Sequence, residues 1–379
     1  MGRPTLFVTG MQRSGTTLLE KLLTSHAEVS LLSQPFPFLF LQIKREFFRS
    51  LGHAPPSYPL GPLFLETRYS PEDLASFLAG HMVERTALEE AFAAMEGFSG
   101  QYTKPGAERL QEAFQAFRPG DLATALEQLY GLLAHAPEAR WLGGKETLCE
   151  EFLPFLLDRG VRVIVILRDP RDVLASLNHG EGQCFAGTPK PTLFNIRNWR
   201  KSVAFALHLE PHPSFQWVRY EDLVSKTDAT LERLARFLGI RPFEGEQFVE
   251  GIRGPRGEPW PGNSSHARYR GVSQASVGRF EDLLPAEVRT LVEITCYPEL
   301  LRLGYPCPPL PSDLGPRIGG LREPYPMSRE DLADHVLSPR TVGDELARLE
   351  LLRGNGRHEV RRYFLFDDVH QGLRGALGR

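Results

Sequence analysis

Residues 5–23 read Thr5-Leu-Phe-Val-Thr9, Gly10-Met-Gln-Arg-Ser-Gly-Thr-Thr17, Leu18-Leu-Glu-Lys-Leu-Leu23. The first five form a short apolar strand, the last six carry the apolar stripe of a helix, and a Gly-bounded loop joins them. Gly10-x4-Gly15-Thr16-Thr17 has the length of a phosphate loop. Glycines let backbone N–H groups close on an anion, and the following helix adds its positive N-terminal end. A nucleoside-triphosphatase loop carries Lys before its Ser or Thr. Here Thr16 takes that place, and the basic residue stands inside the loop at Arg13. The spacing describes an anion site without the lysine that reaches the β- and γ-phosphates. A Gly-rich turn with no ligand is the competing reading.

Further along, Val161-Arg-Val-Ile-Val-Ile-Leu167 is β-branched and nearly continuously apolar, as a parallel strand buried on both faces should be. Asp169-Pro170 follows, an N-cap residue and a first-turn proline, so a helix should begin there. Val29–Leu32 and Phe215–Tyr220 read as two more strands. Glu221–Leu238, ended by Gly239, and Pro285–Leu303, ended by Gly304, read as helices. Strands alternating with helices predict an α/β fold, a P-loop-type parallel sheet flanked by helices. Residues 35–69 are rich in Pro and aromatics, and residues 71 to about 135 look helical. The last 70 residues open with Pro-rich text and end in an Arg-rich helical stretch with no assigned role.

The chain has 379 residues, with 44 Lys and Arg against 47 Asp and Glu. A net charge of −3 argues against a general nucleic-acid binder, which needs a basic footprint. Hydrophobic residues at 41% and charged residues at 24% suit a chain that buries a core. No apolar run approaches the roughly 20 residues of a membrane helix. Cys149, Cys184, Cys296 and Cys307 are scattered without a CxxC, so neither a disulfide scaffold nor a zinc site is expected. An apolar strand already entered by Leu6 leaves no room for a signal peptide, and Leu6 stands where a Met-Gly myristoylation site wants Ser or Thr. A cytoplasmic location is expected, which makes the sequon at Asn263 idle.

Arg13-Ser-Gly-Thr-Thr17 after an apolar strand resembles the 5′-phosphosulfate loop of sulfotransferases that use PAPS (3′-phosphoadenosine 5′-phosphosulfate), in its tyrosylprotein and bacterial form. Leu167-Arg-Asp-Pro-Arg-Asp-Val-Leu-Ala-Ser176 resembles the same family's 3′-phosphate site, in which an Arg and a Ser eight residues later hold the phosphate. Those are Arg168 and Ser176. Arg219-Tyr-Glu-Asp-Leu223, Ser276-Val-Gly-Arg-Phe280 and Leu300–Tyr305 extend the likeness over residues 4 to 306, except most of 36 to 140. The resemblance implies PAPS as donor and PAP as product. It places the cofactor on Gln12, Arg13, Ser14, Gly15, Thr16, Thr17, Arg168, Ser176, Tyr220, Ser276 and Arg279. The physics agrees, since Arg168 sits at the carboxyl end of a strand and its fork suits phosphate. An ion pair with Asp169 or Asp172, and a packing role for Ser176, are the competing readings. The basic loop of the cytosolic branch is replaced by Ser273-Gln-Ala275, which leaves Arg279, Arg268 and Arg270 as candidates for that charge, and the sequence does not decide among them.

Sulfuryl transfer needs a base for the acceptor proton and positive charge for the leaving oxygen. In the tyrosylprotein branch a Glu follows the first helix; the gap-free count puts Gln34 there, and an amide cannot take the proton. In the cytosolic branch a His stands 22 residues before the phosphate Arg; that count gives Glu146, inside Gly143-Gly-Lys-Glu-Thr147. Burial would raise a carboxyl pKa toward neutrality. Glu146 is the expected base, with Lys145 and Arg13 as electrostatic stabilisers; a solvated Lys–Glu loop pair is the alternative. His26 reads as a cap, His179 as structural, and Tyr220 as either an adenosine contact or core. Gln34, Phe36, Phe38 and His53 are candidates to face the acceptor, with Glu66 a weaker one.

These readings divide the chain into a PAPS-binding core (1–35 and 141–306), a mainly helical insertion (36–140) and a C-terminal extension (307–379). The insertion is expected to act as a lid selecting a bulky, partly apolar acceptor, unless its Phe residues are simply core. The acceptor is expected to be a small molecule offering a hydroxyl rather than an amine, and no metal, nucleic acid or membrane is implied. A homodimer is left open. A non-catalytic PAP or PAPS binder is the alternative function, with a nucleotide phosphotransferase behind it. The Ala-, Arg-, Gly- and Pro-heavy composition associates with a high-GC bacterial source and specialised metabolism.

Overall fold

The four apolar segments found above become strands of a parallel sheet, two of them central and two at its edges. The computed structural model describes residues 4–55, 69–95, 103–180, 189–244, 252, 260, 262, 271–325, 330–354 and 359–377. Arg268, Arg270, Glu66, Cys184 and the Asn263 sequon lie outside them. Strands β1 (Thr5–Thr9), β2 (Val29–Ser33), β3 (Trp141–Lys145), β4 (Arg162–Leu167) and β5 (Phe215–Arg219) are ordered β2-β3-β1-β4-β5, every pair parallel. With β2 and β3 on one side of β1 and β4 and β5 on the other, the connections diverge at the carboxyl end of β1. Open α/β sheets bind ligands at such a switch point.

In chain order, the helices include α1 (Thr16–Thr24), α2 (Pro37–Ser50), α3 (Pro71–Gly80), α4 (Arg85–Ala93), α5 (Ala107–Ala116), α6 (Leu122–Leu133), α7 (Leu153–Asp158) and α8 (Pro170–Asn178). Asp169 caps α8 as predicted, its carboxylate accepting from the Arg171 N–H at 2.9 Å, with Pro170 in the first turn. One face of the sheet is closed by Leu19, Leu22 and Leu23 of α1, which join Leu6, Val8, Ile164, Ile166 and Val218 in one apolar cluster.

Three readings need correction. The single helix expected over 221–238 is two, Tyr220–Ser225 and Thr227–Leu238, broken at Lys226. The hydroxyls of Ser225 and Thr227 donate to the carbonyls of Glu221 and Leu223, competing for groups a continuous helix would use. The helix expected over 285–303 is also two, Ala286–Thr295 and Tyr297–Leu303, because Pro298 cannot continue the first and starts the second. Finally, Trp141-Leu-Gly-Gly-Lys145, to which the sequence reading assigns no strand, is β3, between β2 and β1. A Cβ on Gly143 would overlap the carbonyl oxygen of Leu6, and one on Gly144 would overlap the Tyr130 ring. These glycines mark close approach rather than a turn.

The chain divides into two compact units. The first comprises Met1–Gly61, Tyr69–Leu167 and Leu209–Gln274; the second comprises Pro62–Arg68, Arg168–His208 and Ala275–Arg379. The sheet and α1–α7 belong to the first. In the second, the helix Thr192–Leu209 presents Arg197 and Arg200 to both oxygens of buried Glu345, at 3.0 and 2.6 Å, and Arg348 pairs with Glu299. The two arginines hold the Glu345 carboxyl down to about 2 despite its burial. The Arg-rich text of the C-terminal stretch is thus partly interior charge. No helix among the described residues is long and apolar enough to cross a membrane.

Candidate active site

In the first unit, the loop after β1 wraps tightly: the Ser14 N–H donates to the Met11 carbonyl at 3.1 Å, and Gly15 caps α1 at φ +95°. A Cβ at Gly15 would strike the Tyr220 ring, so this glycine is required on two counts. Tyr220, buried at 7% exposure, therefore packs against the loop. Ser14 is fully buried, yet its Oγ has no hydrogen-bond partner among the described residues. A buried hydroxyl without a partner carries a desolvation cost that an anion oxygen would relieve. The donor set of loop N–H groups, Ser14 Oγ and Arg13 fits a phosphosulfate.

The segment after β3 folds across the same end of β1. The Glu146 N–H donates to the Val8 carbonyl at 2.9 Å and the Leu148 N–H to the Gly10 carbonyl at 3.1 Å. Lys145, the last residue of β3, lies level with Val8 of β1 and Ser33 of β2. Residues more than 130 apart in the chain thus meet beside the loop. Lys145 and Glu146 are both 0% exposed, which removes the solvated-pair reading. Lys145 Nζ donates to Gln34 Oε1 at 3.3 Å, and Gln34 in turn donates to Thr147 Oγ1 at 3.4 Å. Glu146 Oε1 accepts the Phe36 N–H at 2.6 Å, while Oε2 is buried with no partner among the described residues. Burial drives the Glu146 carboxyl up to about 8, against the opposing pull of the Phe36 N–H and Lys145. Burial likewise lowers Lys145 to about 8, partly offset by Glu20 and Glu146.

Backbone strain concentrates here too. Among the described residues, the non-glycine residues in the left-handed region are Arg13, Gln34 and Leu148, at φ +66°, +42° and +62°. Each follows the carboxyl end of one of the three neighbouring strands. Such outliers cost about 1–3 kcal/mol and persist where surroundings over-determine them, often at functional sites.

Of the acceptor-facing candidates, Phe36 is core, stacked on Tyr130 (5.6 Å, 26°) and edge-on to Phe92. Gln34 and Phe38 are half-buried, and half-buried His53 packs on Phe48. Phe40 and Phe47 are fully interior, so much of the aromatic run serves packing. His26 follows α1, whose C-cap is Ser25, and its ring Nδ1 accepts the Glu28 N–H at 3.1 Å rather than capping the helix.

The second unit holds the other motif. Arg168 is 6% exposed, its guanidinium donates to the Ser276 carbonyl, and it stands 3.8 Å from Asp172. Asp172 accepts from the N–H groups of Gly278 and Phe280 at 2.8 and 3.0 Å. The two segments the sequence singled out, 168–176 and 276–280, are thereby locked together. Arg171 belongs to structure: it is bidentate to Asp169, at 3.0 and 2.6 Å, and bonds Glu293 at 3.0 Å. Ser176 is buried on α8, and half-buried Arg279 keeps an Nε with no partner among the described residues. His179 bonds Tyr325 at 2.5 Å and reads as structural.

The family model for the sulfotransferase family matches residues 4–245. The chain belongs to the sulfotransferase family. Among solved structures, it is similar to the sulfotransferase domain from the curacin biosynthetic pathway (19% identity, 81% of this chain and 99% of that one, TM-score 0.45). It is also similar to the sulfotransferase domain of the Synechococcus PCC 7002 olefin synthase (17%, 81% and 96%, TM-score 0.40). A third similarity is to retinol dehydratase in complex with androsterone and the inactive cofactor PAP (18%, 76% and 78%, TM-score 0.35). A search of curated protein sequences finds no match.

In this sulfotransferase, Asp172 holds the 276–280 segment through two backbone N–H groups, an engagement that sequence reasoning missed. Asp172→Ala leaves two N–H groups of the 276–280 segment without their acceptor, at about 1–3 kcal/mol for each group that stays buried. The variant is expected to lose roughly 2–4 kcal/mol in urea unfolding. A loss under 0.5 kcal/mol would mean that Asp172 does not hold the segment.

Proposed function

We propose that this sulfotransferase moves the sulfuryl group of PAPS to a hydroxyl of a bulky, partly apolar small molecule, by in-line displacement that releases PAP. The observation that carries the reading is Glu146: a fully buried carboxyl, one oxygen fixed by a backbone N–H, the other unsatisfied, beside a buried lysine at the end of β3. Bound PAPS supplies the activated sulfuryl group and a phosphate leaving group. The loop Gln12–Thr17 holds the 5′ end; Arg168, Ser176, Ser276 and Arg279 hold the 3′-phosphate. Arg13 and Lys145 supply positive charge where the leaving oxygen becomes negative. Glu146 Oε2 takes the proton of the acceptor hydroxyl, and a pKa near the working pH suits that task. Gln34 orients Lys145 rather than moving a proton.

Calorimetry with PAP, ATP and PAPS, followed by sulfate transfer to a panel of phenols and alcohols, tests this reading. Tight binding of PAP with weak binding of ATP, and transfer to at least one hydroxyl, is expected. Tight ATP binding without PAP binding would sink it. PAP binding without transfer to any acceptor would favour a non-catalytic PAP binder, the function that the amide at Gln34 keeps in view.

A further inference from the structure

Beside Glu146 stands a second orphaned group. Tyr130, on α6, is 1% exposed, and its hydroxyl has no hydrogen-bond partner among the described residues. Tyrosine usually finds a partner for its hydroxyl when buried, because an unpaired one costs about 1–3 kcal/mol. Its position is not an accident of packing. The Tyr130 ring and hydroxyl lie directly over Gly144, in space that a side chain at position 144 would fill. The ring stacks on Phe36, the residue whose backbone N–H fixes Glu146 Oε1. One residue thus orients both groups. Burial and then the charge of Glu146 push the Tyr130 phenol well above its ordinary range, which keeps it a donor.

A donor without an acceptor and a carboxyl oxygen without a donor are therefore both tied to Phe36, one through its ring and the other through its backbone N–H. A hydroxyl group is the chemical class that satisfies both, since it accepts one hydrogen bond and donates another. We infer that Tyr130 is an acceptor-positioning and specificity residue: its hydroxyl donates to the oxygen of the acceptor alcohol, whose own proton points to Glu146 Oε2. This rests on the reading of Glu146 as the group that meets the acceptor. Discrimination follows directly, because a molecule of the same shape without the hydroxyl leaves both buried groups unpaired, and such sites reject it strongly.

The test is Tyr130→Phe, which keeps the ring, its stack on Phe36 and its fit over Gly144. Without ligand, the variant is expected to melt at the wild-type temperature or up to 2 °C above it, since it removes an unsatisfied hydroxyl. With PAP present, binding of 4-nitrophenol and 1-octanol is expected to weaken tenfold or more. Affinity for PAP, and for 4-chloronitrobenzene as the hydroxyl-free analogue, should stay within twofold. Equal alcohol and phenol affinities in wild type and variant would overturn the inference, as would wild-type binding of neither hydroxylated probe. A fall of several degrees in melting temperature with unchanged probe binding would overturn it too, making the hydroxyl the holder of a structural water. Sulfate transfer is read separately. Binding of the alcohol that depends on Tyr130, without transfer from PAPS, would leave this inference standing and remove the proposed catalytic role of Glu146.

Discussion

Glu146→Gln is expected to lower turnover about a thousandfold while leaving PAP affinity within a factor of two. Positioned acid–base groups contribute roughly 10²–10⁴ in rate, and the amide keeps the size of the carboxyl and its acceptor toward the Phe36 N–H while losing the ability to take a proton. The wild-type pH profile should rise as Glu146 gives up its proton and fall as Lys145 does. Both are placed at about 8, so the two protons leave as a pair and the optimum should lie near that pH. The variant should lose the rising limb. Stability provides a separate readout. The Glu146 carboxyl is raised from 4.5 to about 8, so between those values the folded chain keeps a proton that the unfolded chain has released. Stability tied to Glu146 therefore falls as pH rises through that window, and the penalty is complete above it. Glu146→Gln removes the penalty, so its melting temperature should match wild type near pH 5 and exceed it at pH 9. A variant that retains more than a tenth of wild-type turnover would move the base elsewhere. One that melts below wild type at pH 9 would contradict the buried, unsatisfied carboxyl.

How much of this could be read from residues alone differs from one element to the next. The 5–24 strand–loop–helix unit and β4 with its capped helix were legible because local chemistry sets them: β-branched runs, a glycine loop, Asp-Pro at a helix start. β3 was not. Its Gly-Gly pair has poor strand propensity, and what places it in the sheet is the closeness of Leu6 and Tyr130, which only the tertiary structure reveals. Glu146 was found by counting from Arg168, but its burial was not, since a Lys-Glu pair usually belongs to a solvated surface. Asp172 was visible only as an alternative ion-pair partner. Its real engagement, two N–H groups more than 100 residues away, follows from no local pattern. Tyr130 carried no signal at all beyond the apolar stripe of α6, and its role appears only once Phe36 and Gly144 are known to surround it.

Arg168→Ala is expected to weaken PAP by a hundredfold or more and adenosine 5′-phosphosulfate by less than threefold. The comparison isolates the 3′-phosphate, the group that one ligand has and the other lacks. Removing one partner of a buried, charge-assisted contact costs about 2–5 kcal/mol, and a hundredfold is 2.7 kcal/mol on the usual scale. The structural alternative makes a different forecast. Arg168 also donates to the Ser276 carbonyl and stands 3.8 Å from Asp172, so a merely structural arginine would loosen the 276–280 segment and weaken both nucleotides alike. Arg168→Lys separates charge from geometry: it keeps the cation but not the planar fork that matches phosphate oxygens. If the fork matters, the lysine variant should recover the fold completely and PAP affinity only in part. Equal loss of PAP and adenosine 5′-phosphosulfate in the alanine variant, with normal circular dichroism, would take the 3′-phosphate away from Arg168. The positive charge would then have to come from Arg279, whose Nε has no partner among the described residues.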